Sequence, residues 1–284
     1  MIYTLQNKEI TVKISSIAAE IISVVKGGKE RVWQNETGEW NGHGPVLFPV
    51  CGHFGVTVDG KSYPIGAHGF AKKRDFALTT KTDDRLTLAL RSDETTKAVY
   101  PFDFIFEVTY RLASNVVEIE YKVQNPAKTP LYFACGGHES FALDTDRVDE
   151  YEIVFEQEEK IVHQVHDDDG YLTGETQDFG AGKAFTLPYD FFQDGRTLVL
   201  KDLRSRKATL CKKTGGVVAQ ITFDGFENLL LWRGGNAKYI CIEPWTNLPD
   251  LANTPDIEFS QKAGVIKVDG ESEITLVRTV AYGD

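Results

Sequence analysis

Long hydrophobic runs are missing from this chain of 284 residues: stretches such as NLLLW (228–232) stop far short of the ~18 residues a membrane span needs. The opening segment, MIYTLQNKEITVKISS, lacks both the basic start and the apolar block of a secretory signal, so a cytoplasmic location is the expectation. Positive charge is in deficit, with 31 Lys and Arg against 42 Asp and Glu and a net charge of −11. No basic tail or stripe offsets it, and such a surface repels phosphate backbones and anionic lipid, which excludes nucleic acid and membrane as expected partners. Cysteine is scarce. Cys51, Cys135, Cys211 and Cys241 show no CxxC spacing and read as reduced, small core residues.

Several motifs are absent as well. There is no HExxH and no Cys/His set at zinc-like intervals, and the acidic triplet Asp167–Asp169 lacks the ligand order of a calcium loop. A phosphate loop, a dinucleotide fingerprint and a GxSxG elbow are missing too. No metal and no cofactor is expected. Helical periodicity is nearly absent, with SDETTKAV (92–99) reading as one or two turns at most.

What the chain does have is alternation. EITVKIS (9–15), RLTLALR (85–91), FIFEVTYRL (104–112), VVEIEYKV (116–123) and SEITLVRTV (272–280) each place apolar side chains at every second position. One apolar and one polar face, repeated, marks half-buried antiparallel strands. KGGK (26–29), VDGK (58–61), DDGY (168–171), QDGR (193–196), FDGF (223–226) and VDGE (268–271) read as hairpin turns in which glycine supplies positive φ. With no linker and no internal repeat, residues 1–284 read as a single all-β domain, one large antiparallel β-sandwich. Residues 156–183 look acidic and strand-poor: a solvated excursion, or a lid over a cleft.

Two fragments hold candidate chemistry. In CGGHESF (135–141), Gly136 and Gly137 precede His138, and Ala134 and Phe141 are expected to wall its ring. An imidazole with room beside it exchanges protons near neutral pH. In ICIEPWTNLPD (240–250), Tyr239, Cys241 and Glu243 share one face of a strand, Ile240 and Ile242 the other, and Pro244 is expected to end the pairing. Burial at the end of an apolar strand raises a carboxyl pKa toward the range of a general base. His43, His53, His68 and His138 all have a nearby glycine, whereas His163 and His166 fall in the acidic excursion and read as surface.

Taken in order, GPVLFPV (44–50), HGFAKKRDF (68–76), GGHESF (136–141) and CIEPWTNLPD (241–250) resemble the aldose 1-epimerases (galactose mutarotases), in their shorter bacterial branch, across nearly the whole chain. The resemblance implies the same large β-sandwich. It implies His138 as general acid, Glu243 as general base and His68 as a sugar-binding histidine near the ring oxygen, with a free aldohexose as substrate. It implies an arginine where this chain has His53, an imidazole with shorter reach and no fork of donors. For the family's sugar-binding aspartate it offers Asp194, whose QDGR setting otherwise reads as a turn. Trp232 suits either a sugar's C–H face or the core.

Two rival functions remain open. A hexose 6-phosphate epimerase needs cations converging on the phosphate; Lys72, Lys73 and Arg74 are candidates, though alternate residues of a strand point apart. A non-catalytic carbohydrate-binding module needs no proton-transfer pair. A glycoside hydrolase needs two catalytic carboxylates, and only Glu243 is well placed. The expected partner is a monosaccharide, and the protein is expected to be a monomer or homodimer.

Overall fold

Each segment with alternating apolar residues forms a strand: Ile10–Ser15, Arg85–Arg91, Ile105–Ala113, Val116–Gln124 and Glu273–Tyr282. The computed structural model describes residues 1–252 and 257–284, where α-helix is confined to the short Glu94–Lys97 and Tyr189–Gln193. The first is started by a capping box, Asp93 accepting from the Thr96 amide while the Thr96 hydroxyl accepts from the Asp93 amide, which satisfies amides left unpaired at a helix start.

Fifteen strands join in one antiparallel sheet. From one edge it runs through Ala77–Lys81, Arg85–Arg91, Ile105–Ala113, Val116–Gln124, Glu273–Tyr282, Val217–Thr222 and Lys207–Lys212. It continues through Tyr151–His166, Leu198–Leu200, Asn228–Trp232, Tyr239–Trp245 and Gly136–Gly137 to Val46–Leu47, with Glu139–Ala142 paired to Tyr239–Trp245 and Leu172–Thr186 to Tyr151–His166 off that path. A four-stranded sheet, Ile2–Gln6, Ile10–Ser15, Ile21–Lys26 and Lys29–Glu30, contributes Leu5, Val12, Ile14 and Val24 to the same core as Leu86, Phe106 and Tyr121. The fold is therefore the expected all-β antiparallel sandwich. Phe48 anchors its centre, with ring centroids 4.5, 5.1 and 5.9 Å from Phe106, Phe104 and Phe133.

The turns divide into two groups. Gly27 and Gly28 join Ile21–Lys26 to Lys29–Glu30, and Asp59–Gly60 joins Val56–Val58 to Lys61–Tyr63, all four at positive φ; that twist matches two-residue hairpins. QDGR is not a hairpin turn: Asp194 caps the C-terminus of Tyr189–Gln193, with Gly195 at φ 70°. FDGF and VDGE connect strands that do not pair with each other. AKKRD is no strand either, because Ala71–Lys73 forms a 3-10 turn.

The largest departure is at 156–183. Far from strand-poor, it forms most of a hairpin of Tyr151–His166 and Leu172–Thr186. Register shifts between Val154 and Glu159, Lys160 and Val162, and Gln164 and His166 break the period-two pattern, and the outer strand is almost wholly exposed; polarity therefore hid both strands. His163 is not a surface residue. It is 3% exposed and its Nδ1 accepts from the Val199 amide at 3.0 Å.

One core position is unexpected. Arg278, inward-facing on Glu273–Tyr282, is 1% exposed and pairs with Glu139, while its guanidinium also donates to Tyr121 Oη at 2.6 and 3.0 Å. The alternation of the strand places it inside, and its charge is compensated there by an acid and a phenol.

Candidate active site

Strand register brings the two singled-out fragments together. Glu139–Ala142 pairs antiparallel with Tyr239–Trp245, Glu139 opposite Ile242 and Ser140 opposite Cys241. Continuing that register sets His138 against Glu243, and residues directly opposite in antiparallel strands carry side chains on the same face. Their separation is 3.3 Å from His138 Nε2 to Glu243 Oε1. Pro244 does not end the strand, since pairing continues through Trp245 to Asn228 and Gly136.

The glycines before His138 serve packing and not access. A Cβ on Gly136 would sit 2.7 Å from Pro244 O and 2.9 Å from Cys51 Sγ, and one on Gly137 would run into the Arg278 guanidinium. Alternation also corrects the walls of the imidazole: Phe141 shares the core-facing side with Glu139 and meets Tyr282 at 6.2 Å. The rings beside His138 are instead Trp40 at 4.9 Å, Trp232 at 5.7 Å and His68 at 5.8 Å.

Burial pushes both members of the pair toward neutrality. The Glu243 carboxyl is raised well above the ordinary value, by burial first and then by the Glu139 charge, with the neighbouring Trp245 indole acting the other way. The His138 imidazole is lowered to about 4, mainly by burial. Glu243 Oε1 is buried without an aligned hydrogen-bond partner, so the 3.3 Å approach of His138 Nε2 is an electrostatic contact that leaves the carboxyl oxygen open to a donor from the cavity.

All six sequence-predicted site residues line one cavity of about 610 Å³: His138, Glu243, His68, His53, Asp194 and Trp232. His68 has a left-handed backbone, φ 61°, and Gly69 follows at φ 67°, where a Cβ would strike the Phe48 carbonyl. The Gly52 amide donates to His68 Nδ1 at 3.0 Å, so the ring proton sits on Nε2. Burial first, then His138, Lys72 and His53, hold the His68 pKa well below its ordinary value; this ring is a neutral N–H donor. His53 lies 5.1 Å from the Tyr171 ring. Trp232 donates from Nε1 to Gly195 O at 2.9 Å, tying the floor of the cavity to the turn that carries Asp194. Asp194 is at the rim, its side chain 73% exposed and 3.3 Å from Arg196. His43 lies outside the cavity lining, its backbone amide bonded to Glu20.

Other lining residues escaped the sequence. Trp245 alternates with Glu243 on one strand, so parity alone could have found it; its ring lies 5.1 Å from His68. Trp40 comes from an irregular loop and gives no periodic signal. The hairpin tip brings His166 and Asp167 through Gly170 to the cavity, so His166 is not a plain surface residue and the excursion does reach the cleft. The tip is tied down: the Leu172 amide donates to Asp250 O, and the Asp250 amide donates to His53 O, both at 2.8 Å. Asn247, 1% exposed, fixes the loop after Glu243 by accepting from the Cys51 amide at 3.2 Å and donating to Cys51 O at 3.0 Å. Among the described residues, one His/Cys/Glu group, His138, Cys241 and Glu243, gathers its donor atoms within 4.8 Å of one another.

Many solved structures are similar to this chain in fold. The family model described as aldose 1-epimerase matches residues 1–262. A galactose mutarotase related enzyme from Lactobacillus acidophilus is 29% identical with a TM-score of 0.90, over 99% of this chain and 97% of that one. A galactose mutarotase-like protein from Lactobacillus casei ATCC 334 is 26% identical with a TM-score of 0.92, over the full length of both. The chromosomal protein LacX of Lactococcus lactis subsp. lactis is 28% identical over 268 residues, 87% of this chain and 88% of LacX.

Proposed function

This chain belongs to the aldose 1-epimerase family, and from that premise we propose that it interconverts the α and β anomers of a free aldohexose of the galactose/glucose class. The observation that carries this reading is the 3.3 Å approach of His138 and Glu243 in the lining of a cavity with room for a pyranose. Both oxygens of a hemiacetal hang on one carbon, so the base and the acid must reach adjacent atoms, each across ~2.6–3.2 Å.

In this mechanism Glu243 removes the proton of the anomeric hydroxyl while His138 protonates the ring oxygen. The C1–O bond of the ring breaks, the aldehyde turns about C1–C2, and closure on its other face returns both protons. The pair holds one proton throughout. Burial favours carboxylic acid beside neutral imidazole; a sugar donating to the carboxylate and accepting from the imidazolium stabilises the ionic tautomer that reacts. Such transfers are worth roughly 10²–10⁴-fold. His68, a neutral donor, is assigned to the ring oxygen or a neighbouring hydroxyl. His53 and Asp194 are assigned to hydroxyls at the far wall and rim, and Trp232 to the sugar's C–H face.

The cavity's electrostatics favour an uncharged sugar. Of the cations considered for a phosphate, Lys72 alone lines the cavity; Arg74 turns to Thr95, at 2.8 Å. Arg196 at the rim is engaged by Asp194, and Asp167, Asp168 and Asp169 of the neighbouring hairpin tip add negative charge to the lining. Lys72 is the observation that keeps the 6-phosphate reading in play, since its pKa is lowered by burial and by Lys73, as for a cation lacking a counter-charge. Exchange NMR on glucose, galactose and glucose 6-phosphate with catalytic protein decides between them. Faster exchange for the free sugars is expected; faster exchange for the phosphate alone would reverse the assignment.

A further inference from the structure

Glu243, His138 and Cys241 present a carboxylate, an imidazole and a thiol within 4.8 Å of one another, and we propose that they form a site for a thiophilic divalent cation of the zinc class, whose binding blocks proton transfer. The arrangement follows from the strands. Cys241 and Glu243 alternate on Tyr239–Trp245, and the register that opposes Ser140 to Cys241 brings His138 against Glu243. Two of the three side chains are nine-tenths or more buried, and Glu243 Oε1, the oxygen facing His138 Nε2, has no aligned hydrogen-bond partner.

The distances suit this class of ion. Zinc binds nitrogen and oxygen at ~2.0–2.2 Å and thiolate at ~2.3 Å, so tetrahedral donors lie roughly 3.3–3.7 Å apart. His138 and Glu243 already stand at 3.3 Å. From within 4.8 Å of both, the sulfur needs to close at most roughly 1.1–1.5 Å to complete the set. Trp33, Ala237 and Tyr239 pack with Cys241, and Trp40 and Trp232 pack against the same cluster; His138 and Glu243 line the cavity, so the fourth position opens on their side. Thiolate with imidazole selects zinc, cobalt or cadmium over magnesium and calcium, which prefer oxygen.

On binding, the thiol proton and the single proton of the His138–Glu243 pair leave for solvent, the metal takes their place, and nothing is oxidised or reduced. With both lone pairs committed to the ion, neither residue can serve a hemiacetal, and sugar competes with metal. That inhibition rests on the function proposed above; the binding does not.

Cobalt(II) titration of the full-length protein reads the site directly. One equivalent is expected to give the thiolate-to-cobalt charge-transfer band and the strong visible bands of four-coordinate cobalt. Cys241→Ala and Cys241→Ser should lose the charge-transfer band, weaken zinc inhibition by at least ~100-fold, more than loss of an outer partner costs, and keep the metal-free rate. Cys51→Ala, which removes the neighbouring buried thiol, should keep the band. A band that survives both Cys241 variants, or disappears in Cys51→Ala, overturns the assignment, as does a titration giving no thiolate band. Should the variants fail to fold, anomalous diffraction from zinc-soaked wild-type crystals decides: a peak between the three side chains supports the site, and a peak elsewhere or none overturns it. Cobalt bound with a thiolate band in a protein that accelerates no anomerisation supports the metal site while removing the enzymatic reading.

Discussion

In the proposed mechanism, a proton held between Glu243 and His138 governs the chemistry at the residue scale. The pair titrates as a unit, and it works only with one proton aboard. Gaining a second disables the base, and His138, lowered to about 4, takes one only in acid. Losing the last proton disables the acid, and Glu243, raised well above ordinary carboxyls, holds it late. The expected profile of kcat/KM against pH is a broad bell with its acid limb near pH 4; a limb at the ordinary histidine value would argue that His138 is not the buried partner. His163 supplies a separate test. Its pKa is lowered from 6.5 to about 4, mainly by burial, so the folded protein holds it neutral where the unfolded chain is protonated. Its contribution is complete above pH 6.5 and is lost as pH falls through about 4. Urea midpoints across that window should fall less steeply for His163→Asn than for wild type, and parallel curves would contradict the assignment. At this scale the sequence made the pair legible because an isolated carboxylate on an apolar strand and a histidine after two glycines both stand out. Trp40 and Arg278 were not, since neither a loop tryptophan nor an arginine on an amphipathic strand announces what it meets.

Among the elements, the strand Tyr239–Trp245 does the most. Its two faces part company: Ile240 and Ile242 join the main core, and Tyr239, Cys241, Glu243 and Trp245 turn to the site side. That division was readable from alternation alone. The long hairpin was not, because its register shifts and exposed outer strand erase the periodic signal that elsewhere gave strand limits to within a residue or two. Beneath the site, the Glu139–Arg278 pair supports the segment that carries His138. Arg278→Met should destabilise the protein by about 3–5 kcal/mol, the cost of leaving a buried charge alone, and adding Glu139→Gln should recover much of it. Guanidinium chloride unfolding of the three variants measures this; additive losses in the double variant would mean that the two side chains act independently.

For the whole molecule, one sheet wraps from the edge strand Ala77–Lys81 to Val46–Leu47 and joins fragments over a hundred positions apart into one cavity. Composition set the expectation against nucleic acid as a partner. Among the described residues no helix is long and apolar enough to cross a membrane. Sequence could name the fold class because antiparallel sandwiches write their faces into the chain; it could not give the sheet order, which depends on pairings between distant strands. Everything functional converges on whether this cavity moves two protons on one hemiacetal. Polarimetry of freshly dissolved α-D-galactose, with wild type and with Glu243→Gln, tests that most directly. The expected result is a first-order decay proportional to wild-type protein and slowed by at least ~10²-fold in the variant, with sugar affinity kept within a few-fold. A wild-type decay no faster than buffer, or a variant as fast as wild type, would contradict it.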